Sequence, residues 1–155
     1  MKRSVWSAVA MAVAALGPVG CGGAPDKAEA GPVAPEGISV TNARLMLPAV
    51  AGNPGAVYFD VANSGSEGRM IRAASVAGAG SAMMHSTGEG GMQEALQEMV
   101  PPGGTLKFEP GGAHVMAMNL ADTVKPGSKA EVTLTFVGGD KVTFPAEVRA
   151  AGDER

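Results

Sequence analysis

Two histidines and six methionines that lie between residues 83 and 118 are the residues of this chain best suited to chemistry. They are His85, His114, Met83, Met84, Met92, Met99, Met116 and Met118. Imidazole nitrogen is a common metal ligand, and the thioether sulfur of methionine is a soft ligand that suits Cu(I). Thioethers have no proton to lose and form no disulfides, so their main weakness in an oxidising compartment is conversion to the sulfoxide. This window therefore raises the hypothesis of a Cu(I) site.

The stretch "GGAHVMAMNL" places His114, Met116 and Met118 at every second position. In a β-strand these three side chains share one face, while Val115 and Ala117 form a small apolar face that suits a core. The same alternation is typical of a strand in which methionine only fills space, so this stretch alone does not decide between packing and metal binding. A second cluster, "AMMHSTGEGGM", strengthens the metal hypothesis, because the two clusters together contain every histidine of the chain.

The composition predicts an all-β domain to carry these residues. The chain is 45% hydrophobic and 17% charged and contains 23 Gly and 11 Pro, which is typical of a sheet protein with many turns. From Ile38 onward, short β-prone runs alternate with turn signals, a spacing that predicts a Greek-key β-sandwich or small barrel. The predicted strands are "ISVTNARLML", "AVYFDVAN", "RMIRAASV", "TLKFE", "AHVMAMNL", "AEVTLTFV" and "KVTFPAEV". The last two are expected to form a hairpin through "GGD", and only "GMQEALQEM" is helix-capable.

The N-terminal residues predict export. Residues 1–21 combine Lys2 and Arg3 with an apolar run too short for a comfortable membrane span, as in a signal peptide. Cys21 closes this segment and resembles the lipidated cysteine of bacterial lipoproteins, although Pro18 stands where a lipobox usually has Leu. The alternative is an ordinary secretory signal cleaved nearby. We expect residues 22–37 to be a flexible tether and residues 38–150 to form the domain.

The region around the two clusters resembles the periplasmic copper chaperone family PCu(A)C. Its signature is a His, then a Met, then a His-x-Met about twenty residues later, with "GGT" and "PGG" turns between them. Here "PPGGTLKFEPGGAHVMAMNL" matches that region, and Met92 stands twenty-two residues before His114. The upstream segment "GAVYFDVANSGSEGRMIRAASV" and the downstream segment "VKPGSKAEVTLTFVGGDKVTFPAEV" are similar to the family's other strands.

The resemblance implies a cupredoxin-like fold and a copper carrier that uses no catalysis. Its implied ligands are His85, Met92, His114 and Met116. Six residues separate His85 from Met92, whereas the family usually has about ten, so Met84 or Met99 could replace Met92, and Met118 could lie nearby. The implied partners are a copper-accepting exported protein, such as a respiratory oxidase subunit or another copper carrier, and a membrane reached through the lipid anchor. The implied location is the bacterial periplasm or cell envelope.

Other functions fit the sequence less well. A blue-copper electron carrier needs a cysteine thiolate, and the single cysteine, Cys21, lies outside the predicted domain. Zinc would need a carboxylate such as Glu89 or Glu94 beside the two histidines. No Gly-x-Ser-x-Gly motif or phosphate-binding loop indicates an enzyme, and a net charge of -3 argues against nucleic acid. The remaining alternative is a lipoprotein β-sandwich that binds a protein partner, not a metal, through a methionine-rich edge.

Overall fold

The computed structural model describes residues 34–88 and 90–153, and within these residues the protein is all-β. The strands are β1 (Ile38–Met46), β2 (Gly55–Asn63), β3 (Arg69–Val76), β4 (Ala79–Gly88), β5 (Gly91–Glu94), β6 (Glu98–Val100), β7 (Thr105–Phe108), β8 (His114–Leu120), β9 (Lys129–Phe136) and β10 (Lys141–Arg149). The described residues include no helix that is long and apolar enough to cross a membrane. The all-β prediction is confirmed.

The strands follow the hydrogen-bonded order β5-β4-β8-β2-β1-β10-β9-β3-β6. All neighbours are antiparallel except β1 and β10, which are parallel. One edge of β2 is shared, because residues 55–57 pair with β8 and residues 59–62 pair with β7. Although β3 and β4 lie far apart in the strand order, a tight turn joins them and they are in contact. The sheet therefore curls back on itself and encloses one core.

Alternating burial along the strands builds that core. In β2 every second side chain is buried, and β9 and β10 follow the same pattern. The ring of Phe59 on β2 stacks on Phe108 with 4.3 Å between centroids, and it also contacts Phe144 at 5.2 Å. Because the strand period is two, burying one face of each strand places the other face outward.

Seven strands lie where the sequence predicts them, and β4, β5 and β6 were not predicted. The stretch that opens β4 is rich in Gly, Ser and Ala, which have low β-propensity. It is held in the sheet by its ladder to β8. The helix-capable segment "GMQEALQEM" forms no helix, since it divides into β5, which pairs with β4, and β6, which pairs with β3. A helix this short is marginal in water, so the hydrogen bonds to neighbouring strands are more favourable than those of a helix.

The turn that starts β4 depends on Gly78, and this generates a prediction. Gly78 has φ +81°, and a Cβ added there would lie 2.5 Å from Cγ2 of Val124. The left-handed conformation alone costs a residue with a side chain about 1–2 kcal/mol. We expect Gly78→Ala to lower the free energy of unfolding by more than this cost. Urea denaturation measures the change.

Gly111→Ala is the matched control for Gly78→Ala. Gly111 has φ +80° with nothing within 4 Å of an added Cβ, so this variant reports the backbone cost alone. Adding Val124→Ala to Gly78→Ala should recover part of the loss by removing the clashing methyl group. Equal destabilisation by Gly78→Ala and Gly111→Ala would show that the contact with Val124 does not matter.

Candidate metal site

The two histidines lie directly opposite each other on neighbouring strands. His85 on β4 pairs with His114 on β8 in the antiparallel ladder. Their ring centroids are 5.8 Å apart and the ring planes are inclined by 25°. The structure thus brings together the two clusters that the sequence singles out, through a strand that the sequence did not predict.

A buried apolar row fixes which side chains face outward at this point. Met84, Val115, Val57, Leu45 and Val148 occupy matching positions on β4, β8, β2, β1 and β10, and all of them are buried. Side chains one position away on each strand must point to the opposite face of the sheet. This buried row, which we call the core row, therefore has one row of outward-facing side chains on either side of it along the strands.

The first outward row contains the histidines. Next to His114, the ring of Tyr58 on β2 lies 6.4 Å away by centroids and is tilted by 51°. Arg44 on β1 follows, with its Cζ 5.1 Å from the centroid of the Tyr58 ring. Flanked by His85 and Tyr58, His114 is only 7% exposed. It is held more firmly than a free surface histidine would be.

A backbone hydrogen bond selects the tautomer of His114. Its Nδ1 lies 3.0 Å from the carbonyl oxygen of Gly112, in the turn that connects β7 to β8. Because a carbonyl oxygen can only accept, Nδ1 must carry the proton. In the neutral ring Nε2 then keeps a free lone pair, which is the usual arrangement for a metal-binding histidine.

Nδ1 of His85 is buried and makes no hydrogen bond to the described residues. A buried polar atom without a partner is costly, and such atoms usually have a reason. A bound metal ion is one such reason, so the environment of His85 fits a metal ligand.

The second outward row adds methionines. Met83 on β4 lies directly opposite Met116 on β8, two residues from His85 and His114 on their respective strands. Two imidazoles and two thioethers thus occupy a block of two adjacent pairs on one face of the sheet. Met83 is 39% exposed and is not among the ligands predicted from the sequence. Recognising β4 as a strand would have revealed it, since it precedes His85 by the strand period of two.

Met92 lies on the other side of the histidine row. It is on β5, directly opposite Thr87 of β4, and therefore on the same face as His85. Its side chain is 58% exposed. Met116 and Met92 thus approach the two imidazoles from opposite sides.

The three possible substitutes differ in position. Met84 is only 4% exposed and belongs to the core row, so it faces away from the histidines. Met99 lies opposite Met70 at the pairing of β6 with β3, apart from the β4–β8 pair. Met118 shares the face of Met116 and lies opposite Ser81. Of the three, only Met118 is on the same face as the histidines and on the same strand pair.

Of the two carboxylates considered for the less favoured zinc alternative, only Glu94 lies within the described residues. Glu94 lies opposite His85 across β4 and β5. The described part of the chain nevertheless contains no group of three His, Cys, Asp or Glu side chains that could hold a metal ion. Glu89 and Cys21 lie outside the described residues. Within the described residues, Glu94 therefore does not complete a three-ligand zinc site with the two histidines.

The described residues form an all-β domain that carries paired His and Met side chains on one face of its sheet. Comparison with known proteins identifies the family. Residues 38–148 match the family described as "Putative lipoprotein LpqE-like". The chain is also 33% identical over 118 residues to "Putative lipoprotein Lxx21020" of Leifsonia xyli subsp. xyli, spanning 73% of this chain and 69% of that protein. The protein belongs to this LpqE-like family.

Several solved structures share this fold, and PCuAC domains are among them. The apo PCuAC domain from PmoF1 is 26% identical with a TM-score of 0.65, covering 74% of this chain and 94% of that one. The Cu(I) form of DR1885 from Deinococcus radiodurans is 25% identical with a TM-score of 0.64, covering 81% and 87%. The copper-bound PCuAC domain from PmoF2 is 24% identical with a TM-score of 0.64, covering 74% and 93%, and shows the shared fold. These neighbours confirm the resemblance to PCu(A)C and the cupredoxin-like fold.

Proposed function

We propose that the protein is a Cu(I) carrier of the cell envelope, with His85, His114, Met116 and Met92 as its ligands. The observation that carries this proposal is the in-register pairing of His85 with His114, beside Met116, on the outward face of β4 and β8. The Cu(I) form of DR1885, a structural neighbour at 25% identity, supports the same metal. Copper is here the cargo, not a resident cofactor.

The donor set suits transfer. Neutral imidazole and thioether ligands stabilise Cu(I) without neutralising its charge, and their exchange requires no general acid or base. Met92 is more than half exposed, so an acceptor could replace this ligand first and then take the ion from the histidines. We propose delivery to an exported cuproprotein, such as the copper centre of a respiratory oxidase or another copper carrier. The role is that of a carrier and not of an enzyme.

The position of Met92 favours it over Met83 as the fourth ligand. Met83 and Met116 both lie on the same side of the histidine row, and Met92 lies on the other side. A ligand from each side surrounds an ion bound between the two imidazoles, whereas two from one side leave it open to water.

The first test removes both imidazoles. In anaerobic competition with a Cu(I) chelator, His85→Ala/His114→Ala should bind Cu(I) far more weakly than the wild type. The expected loss exceeds the roughly 10–100-fold that follows removal of an outer-shell partner of a metal site. Circular dichroism and urea denaturation check that the variant is folded. Equal affinity of the wild type and a folded double variant would rule out the proposal and leave a lipoprotein that binds a protein partner through this edge.

The second test identifies the thioethers. Met92→Leu and Met116→Leu should each weaken Cu(I) binding, because leucine conserves volume but removes the sulfur. Met99→Leu is the matched control, since Met99 is about as exposed as Met92 but lies on β6. If Met92→Leu behaves like Met99→Leu, then Met92 is not a ligand.

We also propose that Cys21 carries the lipid and that residues 22–37 tether the domain, residues 38–150, to a membrane of the bacterial cell envelope. Membership of a lipoprotein family supports this, while residues 1–33 lie outside the described residues. In a bacterial host, Cys21→Ser should abolish incorporation of a labelled fatty acid and move the protein from the membrane to the soluble fraction. Ser4→Ala, in the same segment, is the control. Retention of the label by Cys21→Ser would contradict the assignment.

A further inference from the structure

We infer that Met83, Met116 and Met118, with Met46 within reach, form a second position for a soft monovalent ion, Cu(I) or Ag(I), bound by sulfur alone. This position shares Met116 with the proposed histidine site. Its role in copper transfer rests on the proposed function, but its binding chemistry does not.

The ladders place these four methionines, which we call the thioether group, side by side. Met83 lies opposite Met116, Met116 lies opposite Ala56 of β2, and Ala56 lies opposite Met46 of β1. Directly opposite side chains have Cβ atoms about 4.5–5.5 Å apart. Ala56 contributes only a methyl group, so the longer side chains of Met46 and Met116 can approach each other above it.

Met118 completes three thioethers around one point. It follows Met116 by two residues on β8 and is diagonal to Met83, with the small Ser81 opposite it. Diagonal neighbours are roughly 7–8 Å apart, with their Cβ atoms somewhat closer, a separation that long side chains can bridge. Three sulfurs can therefore converge over the β4–β8 pair.

Core packing does not account for the thioether group. The buried face of the same strands is already filled by other side chains, among them Met84, Val115, Ala117 and Leu45. The thioether group lies on the outward face, and Met83 is the most exposed of the four. The outward face of an antiparallel sheet is usually polar. Four methionines there point to a use other than stability.

The donors determine which ion this position would take. The sulfurs are neutral and soft, which favours Cu(I) and Ag(I) over Zn(II) or Cu(II). At the far end of the row, Arg149 lies opposite Met46 and is paired with Glu147 at 2.8 Å. That ion pair limits repulsion of a bound cation.

Met116 allows the ion to pass between the two positions without release. Bonds from Cu(I) to the nitrogens of His85 and His114 and to the sulfur of Met92 break, while bonds to the sulfurs of Met83 and Met118 form. The bond to Met116 is kept, and copper stays Cu(I) throughout, so no electron or proton is transferred. The sulfur-only position binds more weakly and is a second point, besides Met92, at which an acceptor could take the ion.

Ag(I), which does not change oxidation state, is the probe for the test. In full-length His85→Ala/His114→Ala protein with 13C-labelled methionine methyl groups, Ag(I) should shift the Met83, Met116 and Met118 signals. Adding Met83→Leu/Met118→Leu should weaken the residual Ag(I) affinity by more than about tenfold, the lower end of what loss of a supporting residue costs a metal site. Met70→Leu/Met99→Leu is the matched control, because these methionines are also directly opposite each other, on β3 and β6.

Three outcomes would overturn the inference. Ag(I) could shift none of these methyl signals, or Met83→Leu/Met118→Leu could behave like Met70→Leu/Met99→Leu. Alternatively, in the presence of both histidines, Met83→Leu/Met118→Leu could weaken the first Cu(I) ion as much as His85→Ala/His114→Ala does, which would make all the sulfurs part of one site. Each result is separate from failure of the proposed function, in which removal of the histidines has no effect on Cu(I) affinity.

Discussion

The candidate site depends on one buried row of side chains that crosses five strands. Met84, Val115, Val57, Leu45 and Val148 fill the core at one level of the sheet. A slip of one residue in any ladder would move these apolar groups to the outward face and turn the histidine or methionine row inward. The hydrophobic effect thus sets the register, and the register places His85 beside His114 and Met83 beside Met116. The candidate donors are thus positioned by the packing of a row to which they do not belong.

Local contacts constrain the side chain of His114 more than that of His85. His114 is enclosed by neighbouring rings and its proton is held by the carbonyl of Gly112, so one nitrogen is kept ready to bind. His85 is more open, and its Nδ1 makes no hydrogen bond to the described residues. A fixed ligand paired with a less constrained one suits an ion that must be held and then released. Met83 and Met92, which lie on either side of the histidines, are exposed and therefore more accessible than His114.

Much of the fold could be predicted because most strands show apolar–polar alternation in their own sequences and end at recognisable turn residues. β2, β9 and β10 alternate apolar and polar residues, and glycines mark the turns between many strands, as in the hairpin of β9 and β10. The face shared by His114, Met116 and Met118 followed from the strand period alone. By contrast, β4 begins with Gly, Ser and Ala and gives no such signal, and β5 and β6 are too short to show a period. These strands exist because a partner strand offers them hydrogen bonds.

The sequence by itself indicated the candidate donors and the all-β class, since residue types and strand periodicity are local properties of the chain. Its motifs carried the resemblance to PCu(A)C. Only the tertiary structure decided which donors meet. It paired His85 with His114, brought Met83 into the outward face and turned Met84 into the core. The physical reason is that adjacent residues of a strand face opposite ways. Which of Met83 and Met84 is buried therefore depends on the register of β4 against β8. That register is a long-range property, set by the core that the whole chain builds.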